Sequence, residues 1–132
     1  MLARYIGDMP HNWASAQCVL FLRHMLALED GNSLRLLEGV GDVELKSREA
    51  FSLVSSSTRF GRVSLNLEPS GLKKGWKATF KRETGPNPGS LKIPFKLGSA
   101  LQLTKVDGAS TIRKGDHVLV TPDASSWIAT WS

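Results

Sequence analysis

The 132-residue chain has a single cysteine, Cys18, so no disulfide can close within it. None is required, because a domain of this size buries about two-thirds of the surface its unfolded chain exposes. Cys18 sits among Val19, Leu20, Phe21 and Leu22, where a small apolar side chain in the core is the expected role rather than a nucleophile. The expected setting is a reducing cell interior, or the inside of a virus particle. Long apolar runs are missing too. The longest stretch, residues 18–28, is interrupted by Arg23 and His24, whereas about 18 uninterrupted apolar residues are needed to span a bilayer, so no transmembrane segment is expected. The first sixteen residues carry Asp8, Pro10 and His11 with no basic head before an apolar run, so no secretory leader is expected either.

Chemistry-bearing clusters are equally sparse. The three histidines, His11, His24 and His117, are scattered without metal-ligand spacing, which argues against a metal centre, and no cofactor is implied. The segment Gly85-Pro86-Asn87-Pro88-Gly89 cannot cradle a phosphate, since its prolines lack the amide donors a cradle supplies, and it reads as a stiff, exposed hairpin loop. Asp116 and His117 are neighbours that a strand would point to opposite faces, and neither Ser110 nor Ser125 has the surroundings of an activated nucleophile.

Acidic residues run short in one part of the chain only. Residues 1–58 hold 5 Lys/Arg against 7 Asp/Glu, while residues 59–132 hold 12 against 5, so the whole formal charge of +5 originates in the second part. Between Arg59 and Lys96, nine basic residues face only Glu68 and Glu83. Such asymmetry points to a polyanionic partner.

The pattern of what is present predicts one domain over residues 1–132, with no repeat or linker to divide it. Residues 12–30 read as a helix: Asn12 can cap it, and Cys18, Phe21, Leu22, Met25 and Leu28 recur at spacings of three and four. The competing reading makes two strands around the turn at Asp30, Gly31 and Asn32. From residue 41 to the end the period becomes two. Val43 and Leu45, Phe51 and Leu53, Val63 to Leu67, Trp76 to Phe80, Leu91 to Leu97, Leu101 and Leu103, Val118 and Val120, and Trp127 to Trp131 each alternate with polar residues. The fold class expected is mainly β, with α+β at its margin. It is an antiparallel sandwich or barrel of about seven or eight strands carrying one N-terminal helix.

If residues 75–82 and 91–97 are antiparallel neighbours, Lys77, Lys81, Lys92 and Lys96 gather on one face, with Arg62 from the preceding strand and Lys73, Lys74 and Arg82 at the rims. A basic face of this kind predicts a non-catalytic binding or assembly module that meets RNA or DNA through backbone contacts, or another polyanion. It carries no aromatic residue on which a base could stack. The bland alternative is a solvated face whose lysines keep sheet edges apart. A second reading is a self-assembling subunit, a homo-oligomer, with Trp127 and Trp131 as interface anchors rather than core. A third rests on Asp42-Val43-Glu44-Leu45-Lys46. Glu-x-Lys on a strand, with Asp30 fourteen residues before Glu44, resembles metal-dependent nucleases of the restriction-endonuclease type, although Glu29 stands where that family has proline. The resemblance implies that Asp30 and Glu44 hold Mg²⁺ while Lys46 positions the attacking water.

Overall fold

The computed structural model describes residues 23, 25–70 and 75–132. The N-terminal part of the helix expected over residues 12–30, with Cys18, and also Lys73 and Lys74, lie outside the described residues. From residue 27 on, the described residues form eleven strands and one short helix in the order β1 (Ala27–Asp30), β2 (Ser33–Leu36), α1 (Asp42–Lys46), β3 (Phe51–Thr58), β4 (Gly61–Pro69), β5 (Trp76–Arg82), β6 (Ser90–Pro94), β7 (Lys96–Leu97), β8 (Leu101–Asp107), β9 (Thr111–Lys114), β10 (His117–Val120) and β11 (Ser126–Trp131). No helix among the described residues is long and apolar enough to cross a membrane.

The strands form a five-stranded sheet in the order β1-β2-β6-β10-β9 and a six-stranded sheet in the order β3-β4-β5-β11-β8-β7. All pairs are antiparallel except β2 with β6, which run parallel. The mainly β class is as expected, with more strands than the seven or eight anticipated. Two expectations are corrected. Residues 27–30 are strand, not helix, and close a hairpin on β2 through Gly31, whose φ of 59° suits a residue without Cβ. Residues 42–46 are helix, not strand: Val43 is 77% exposed while Leu45 is buried, a split that one strand face cannot give.

Each sheet turns one face inward. Val63, Leu65 and Leu67 of β4, Trp76, Ala78 and Phe80 of β5, and Trp127, Ala129 and Trp131 of β11 meet Leu34 and Leu36 of β2, Leu91 and Ile93 of β6, and Val118 and Val120 of β10 in one core. Phe80 and Trp127 stack with ring centroids 4.9 Å apart, and Trp131 Nε1 donates to Pro94 O across the sheets at 3.1 Å. Trp127 and Trp131 are 2% and 0% exposed, so they serve as core packing, the reading their alternation favours, and the alternative of interface anchors is not met; aromatic side chains of 150–250 Å² dominate such packing.

One side of the molecule is clipped by charge. Glu29 on β1 receives Arg23 Nη2 at 2.8 Å and Arg59 Nε at 3.2 Å. Arg23 also donates to Ser56 Oγ and Ser57 O of β3, and Arg59 Nη2 donates to Gly31 O. Burial pushes the Glu29 carboxyl up, but the hydrogen bonds from Arg23 and Arg59 and the charge of Arg23 outweigh it and hold the group below its ordinary value. A carboxyl depressed by folding stabilises above its unfolded pKa of about 4.3, and that stability is lost as pH falls through the lower, folded value. Stability should therefore decline on acidification below about pH 5, and Glu29→Gln should flatten that limb by about 0.5–1 kcal/mol. Urea unfolding at pH 7 and pH 3 measures this; an unchanged acid limb in the variant contradicts it.

Candidate functional site

The basic face expected from sequence is not assembled. β5 pairs with β4 and β11, whereas β6 pairs with β2 and β10 in the other sheet. Trp76, Ala78 and Phe80 point into the core from one side and Leu91 and Ile93 from the other, so Lys77 and Lys81 leave the molecule on the side opposite Lys92. Lys77 is paired with Glu68 of β4 at 3.2 Å. Lys81 stands across from Ser64, with Arg62 diagonal to it, and Arg62 Nη1 reaches Ser55 O at 3.5 Å. Lys92 lies between Arg35 and Leu119, and exposed Lys96 is on β7 opposite Gln102.

Arg82 departs furthest from its expected place at a basic rim. It occupies the inner side of β5, is 8% exposed, and spends its guanidinium on Phe60 O, Gly85 O, Pro86 O, Asn87 Oδ1 and Pro122 O at 2.7–3.4 Å. It anchors the segment between β5 and β6, which crosses between sheets instead of closing a hairpin.

The triad suggested by the nuclease resemblance is also dispersed among separate tasks. Asp30 pairs with Arg35 at 3.2 Å. Glu44 accepts the Gly41 N–H at 2.7 Å and so closes the first turn of α1. Lys46 stands on the far side of that helix turn, and no group of three or more His, Cys, Asp or Glu is placed to hold a metal among the described residues.

What the fold does bring together lies at the α1 end of the sandwich. A cavity of about 530 Å³ is lined by Asp42, Leu45 and Lys46 of α1, Arg48 after it, Trp76 at the start of β5, and Leu97, Ser99, Ala100 and Leu101 of the β7–β8 hairpin. That volume lies within the 300–1,000 Å³ of ordinary small-molecule sites. Residues 42, 45 and 46 share a helix face because they are three and four apart. Acidic residues in the first turn and Lys46 in the last suit the backbone dipole, so a five-residue helix forms here once Leu45 is buried.

The polar groups around this apolar floor have distinct states. Asp42 Oδ1 accepts the Ser99 N–H at 2.8 Å. Hydrogen bonds from the Ser99 side chain and backbone, aided by Lys46, hold the Asp42 carboxyl below its ordinary value. Arg48 adopts φ of 55°, a left-handed conformation that costs a residue with a side chain roughly 1 kcal/mol or more. This conformation carries its guanidinium over the Trp76 ring, 5.6 Å from the centroid, with Nη1 donating to Gly75 O at 3.2 Å. Among the described residues, neither Lys46 nor Arg48 forms an ion pair. Three ionised groups thus face the cavity, and they sum to one positive charge.

Gly98 permits the arrangement. Its φ is 65°, and a Cβ there would strike Asp42 Oδ1 and come within 2.7 Å of Leu45 Cδ1. Gly98→Ala is expected to cost about 2 kcal/mol through strained backbone and the displaced α1 contact. Thermal melting checks the loss, and unchanged stability would show that α1 is not held by this turn.

Of the cavity residues, alternation marks Leu45, Trp76, Leu97 and Leu101 as inward-facing, and Lys46 enters the sequence reading for a different chemistry. Asp42, Arg48 and Ser99 were missed. Gly41 followed three residues later by Glu44 was the available signal for a helix start at this point. Fold and cavity together define a two-sheet β-sandwich with a ligand-sized hollow at one end. No family model, no curated protein and no solved structure matches this chain.

Proposed function

We propose that this chain is a non-catalytic binding module that takes an anionic ligand at its α1 end. The observation that carries the reading is Lys46 and Arg48 at the mouth of an apolar cavity, neither ion-paired to a carboxylate among the described residues. Both cations are exposed beside apolar walls, so an anion that also buries apolar surface in the hollow gains from both contacts at once. The strained backbone at Arg48 supports the same reading, because such conformations persist where the surroundings hold a side chain to a task.

A phosphate backbone has less to hold. Among the described residues on the outer face of the six-stranded sheet, only Arg62 and Lys81 stand together without an ion pair. Neutralising two phosphates gives a salt slope near −2, roughly a tenfold loss of affinity between 50 and 200 mM salt, too shallow for a dedicated polyanion surface. Assembly is opposed at three of the four sheet edges: β3 is bulged with Ser55 at φ of 47°, β7 has two residues, and β9 carries Arg113 and Lys114.

Anilinonaphthalene sulfonate tests the proposal, being an anion with an aromatic body that fluoresces in apolar sites. The folded protein should bind it saturably, about one per chain. Lys46→Ala with Arg48→Ala should weaken binding at least tenfold, while Arg62→Ala with Lys81→Ala leaves it intact. Sensitivity to the second pair instead of the first would move the site to the sheet face, and absence of saturable binding overturns the proposal.

A further inference from the structure

The charge and wall chemistry of the α1 cavity select among anions, and this selection rests on the binding reading above. We infer that the site takes a monocarboxylate with a linear aliphatic body. Three observations converge on it.

The first is charge. Lys46 and Arg48 supply two positive charges and Asp42 one negative charge, and Asp42 is already engaged in holding the β7–β8 hairpin through Ser99. A monoanion leaves the site neutral. A dianion such as a phosphate monoester leaves an excess negative charge beside Asp42, which like-charge repulsion disfavours.

The second is the shape of the donors. A guanidinium offers paired N–H groups matched to the two oxygens of a carboxylate, and a lysine ammonium beside it acts as a point charge. One Arg48 nitrogen is committed to Gly75 O, which fixes the side chain and leaves the remaining donors to a ligand. Lys46 follows Leu45 on the rim of the same helix turn, so the charged head would sit at the α1 side of the mouth.

The third is the wall. Leu45, Leu97, Ala100 and Leu101 line the cavity, and the one aromatic ring, Trp76, already carries the Arg48 guanidinium on its face. Trp76 is itself 1% exposed, so no free ring face is left for stacking an aromatic ligand, whereas aliphatic side chains accept methylenes with no orientation required. A second cavity, of about 440 Å³, presents the opposite case. Its lining of Ser57, Thr58, Gly61, Arg62, Glu83 and Thr84 is polar, with one charge of each sign, and it offers nothing to an aliphatic chain.

Titration of ¹⁵N-labelled protein with sodium decanoate, kept below its micelle concentration, reads the site directly by backbone amide shifts. Saturable shifts should cluster at Leu45, Lys46, Leu97, Ser99 and Leu101 with submillimolar Kd, as expected for about a dozen ligand atoms. Decyltrimethylammonium, with the same chain and opposite charge, should bind at least tenfold more weakly, and so should acetate, which has the head without the chain. Lys46→Glu keeps an exposed helix position intact and should lower decanoate affinity at least tenfold, whereas Lys92→Ala on the opposite sheet should not. Equal binding of the two decyl ions would overturn the carboxylate assignment, as would decanoate shifts centred elsewhere. If anilinonaphthalene sulfonate binds in the cavity while decanoate produces no shifts there, the aliphatic carboxylate is wrong and the binding module stands. If neither binds, both fall.

Discussion

A chain shortened by residues 127–132 is expected to lose cooperative folding altogether. The deletion removes all of β11 beyond Ser126, and β11 is an interior strand: it is hydrogen-bonded to β5 on one side and to β8 on the other. Without it, β8 and β7 have no connection to β3, β4 and β5, and the six-stranded sheet falls into two parts. Trp127 and Trp131 leave with it, both buried in the core. Replacing one buried tryptophan by alanine costs about 3–5 kcal/mol, and domains have a total stability of about 5–15 kcal/mol. Two tryptophans and two ladders together exceed it. Urea titration should show no sigmoidal transition and near-ultraviolet dichroism should vanish. The graded variant Trp131→Phe keeps most of the ring volume but loses the Nε1 bond to Pro94 O, and should cost about 1–3 kcal/mol in a chain that still unfolds cooperatively. A truncated chain with a sharp transition near that of the parent would mean that β11 is not integral to the core.

The terminal strand illustrates what sequence could disclose. Trp127, Ala129 and Trp131 alternate with Ile128 and Thr130, and alternation alone shows that one face of this strand is buried. The same signal located β4, β5, β6, β8 and β10. Pairing was a different matter. Alternation marks the inward face of each strand by itself and carries no information on which sheet the strand joins, so Trp76 to Phe80 and Leu91 to Leu97 looked like two halves of one hairpin. Residues 83–89 held a warning: seven residues exceed the two to five of common hairpin loops. A longer connection has the reach to cross from one sheet to the other, and that crossing sends Lys81 and Lys92 to opposite sides of the molecule.

The candidate site was less legible for a related reason. Its floor residues Leu45, Leu97 and Leu101 carry ordinary core signals, and its cations lie at the end of one element and in the turn after it, where periodicity says nothing. Val43 and Leu45 fit a two-residue period over so short a span that a single helical turn fits as well. Exposure of Val43 and burial of Leu45 separate the two only after folding. Arg48 in a left-handed conformation has no composition signal at all, since glycine and asparagine are the residues that advertise such positions.

Arg82→Ala is expected to destabilise the protein by about 3–5 kcal/mol, the cost of removing one partner from a buried charged network. Read as a rim residue of the expected basic face, this arginine would be a surface cation, yet it is buried and five oxygens share two of its nitrogens, Nη1 and Nη2. None of the five belongs to a carboxylate. The charge is balanced by carbonyl and amide dipoles, an arrangement that suits an always-protonated group, and Nε remains buried without a partner. Alanine strands the acceptors. Phe60 O sits at the β3–β4 turn, Gly85 O and Pro86 O in the crossing between sheets, and Pro122 O between β10 and β11, so three connections lose their common anchor in one step. Each unsatisfied buried acceptor costs about 1 kcal/mol or more, partly relieved where the loop can reach water. With a urea m-value of about 1.5 kcal/mol/M for a chain of this length, the midpoint should fall by roughly 2–3 M. Arg82→Lys retains charge but presents three donors in place of a planar fork, and should recover about half the loss. The variants also separate structure from binding: per folded molecule, Arg82→Lys should bind anilinonaphthalene sulfonate like the parent, because its charge faces inward. A midpoint within 0.5 M of the parent for Arg82→Ala, an order-of-magnitude bound set by the same m-value, would show that the loops hold their places unaided and that this guanidinium is free for another partner.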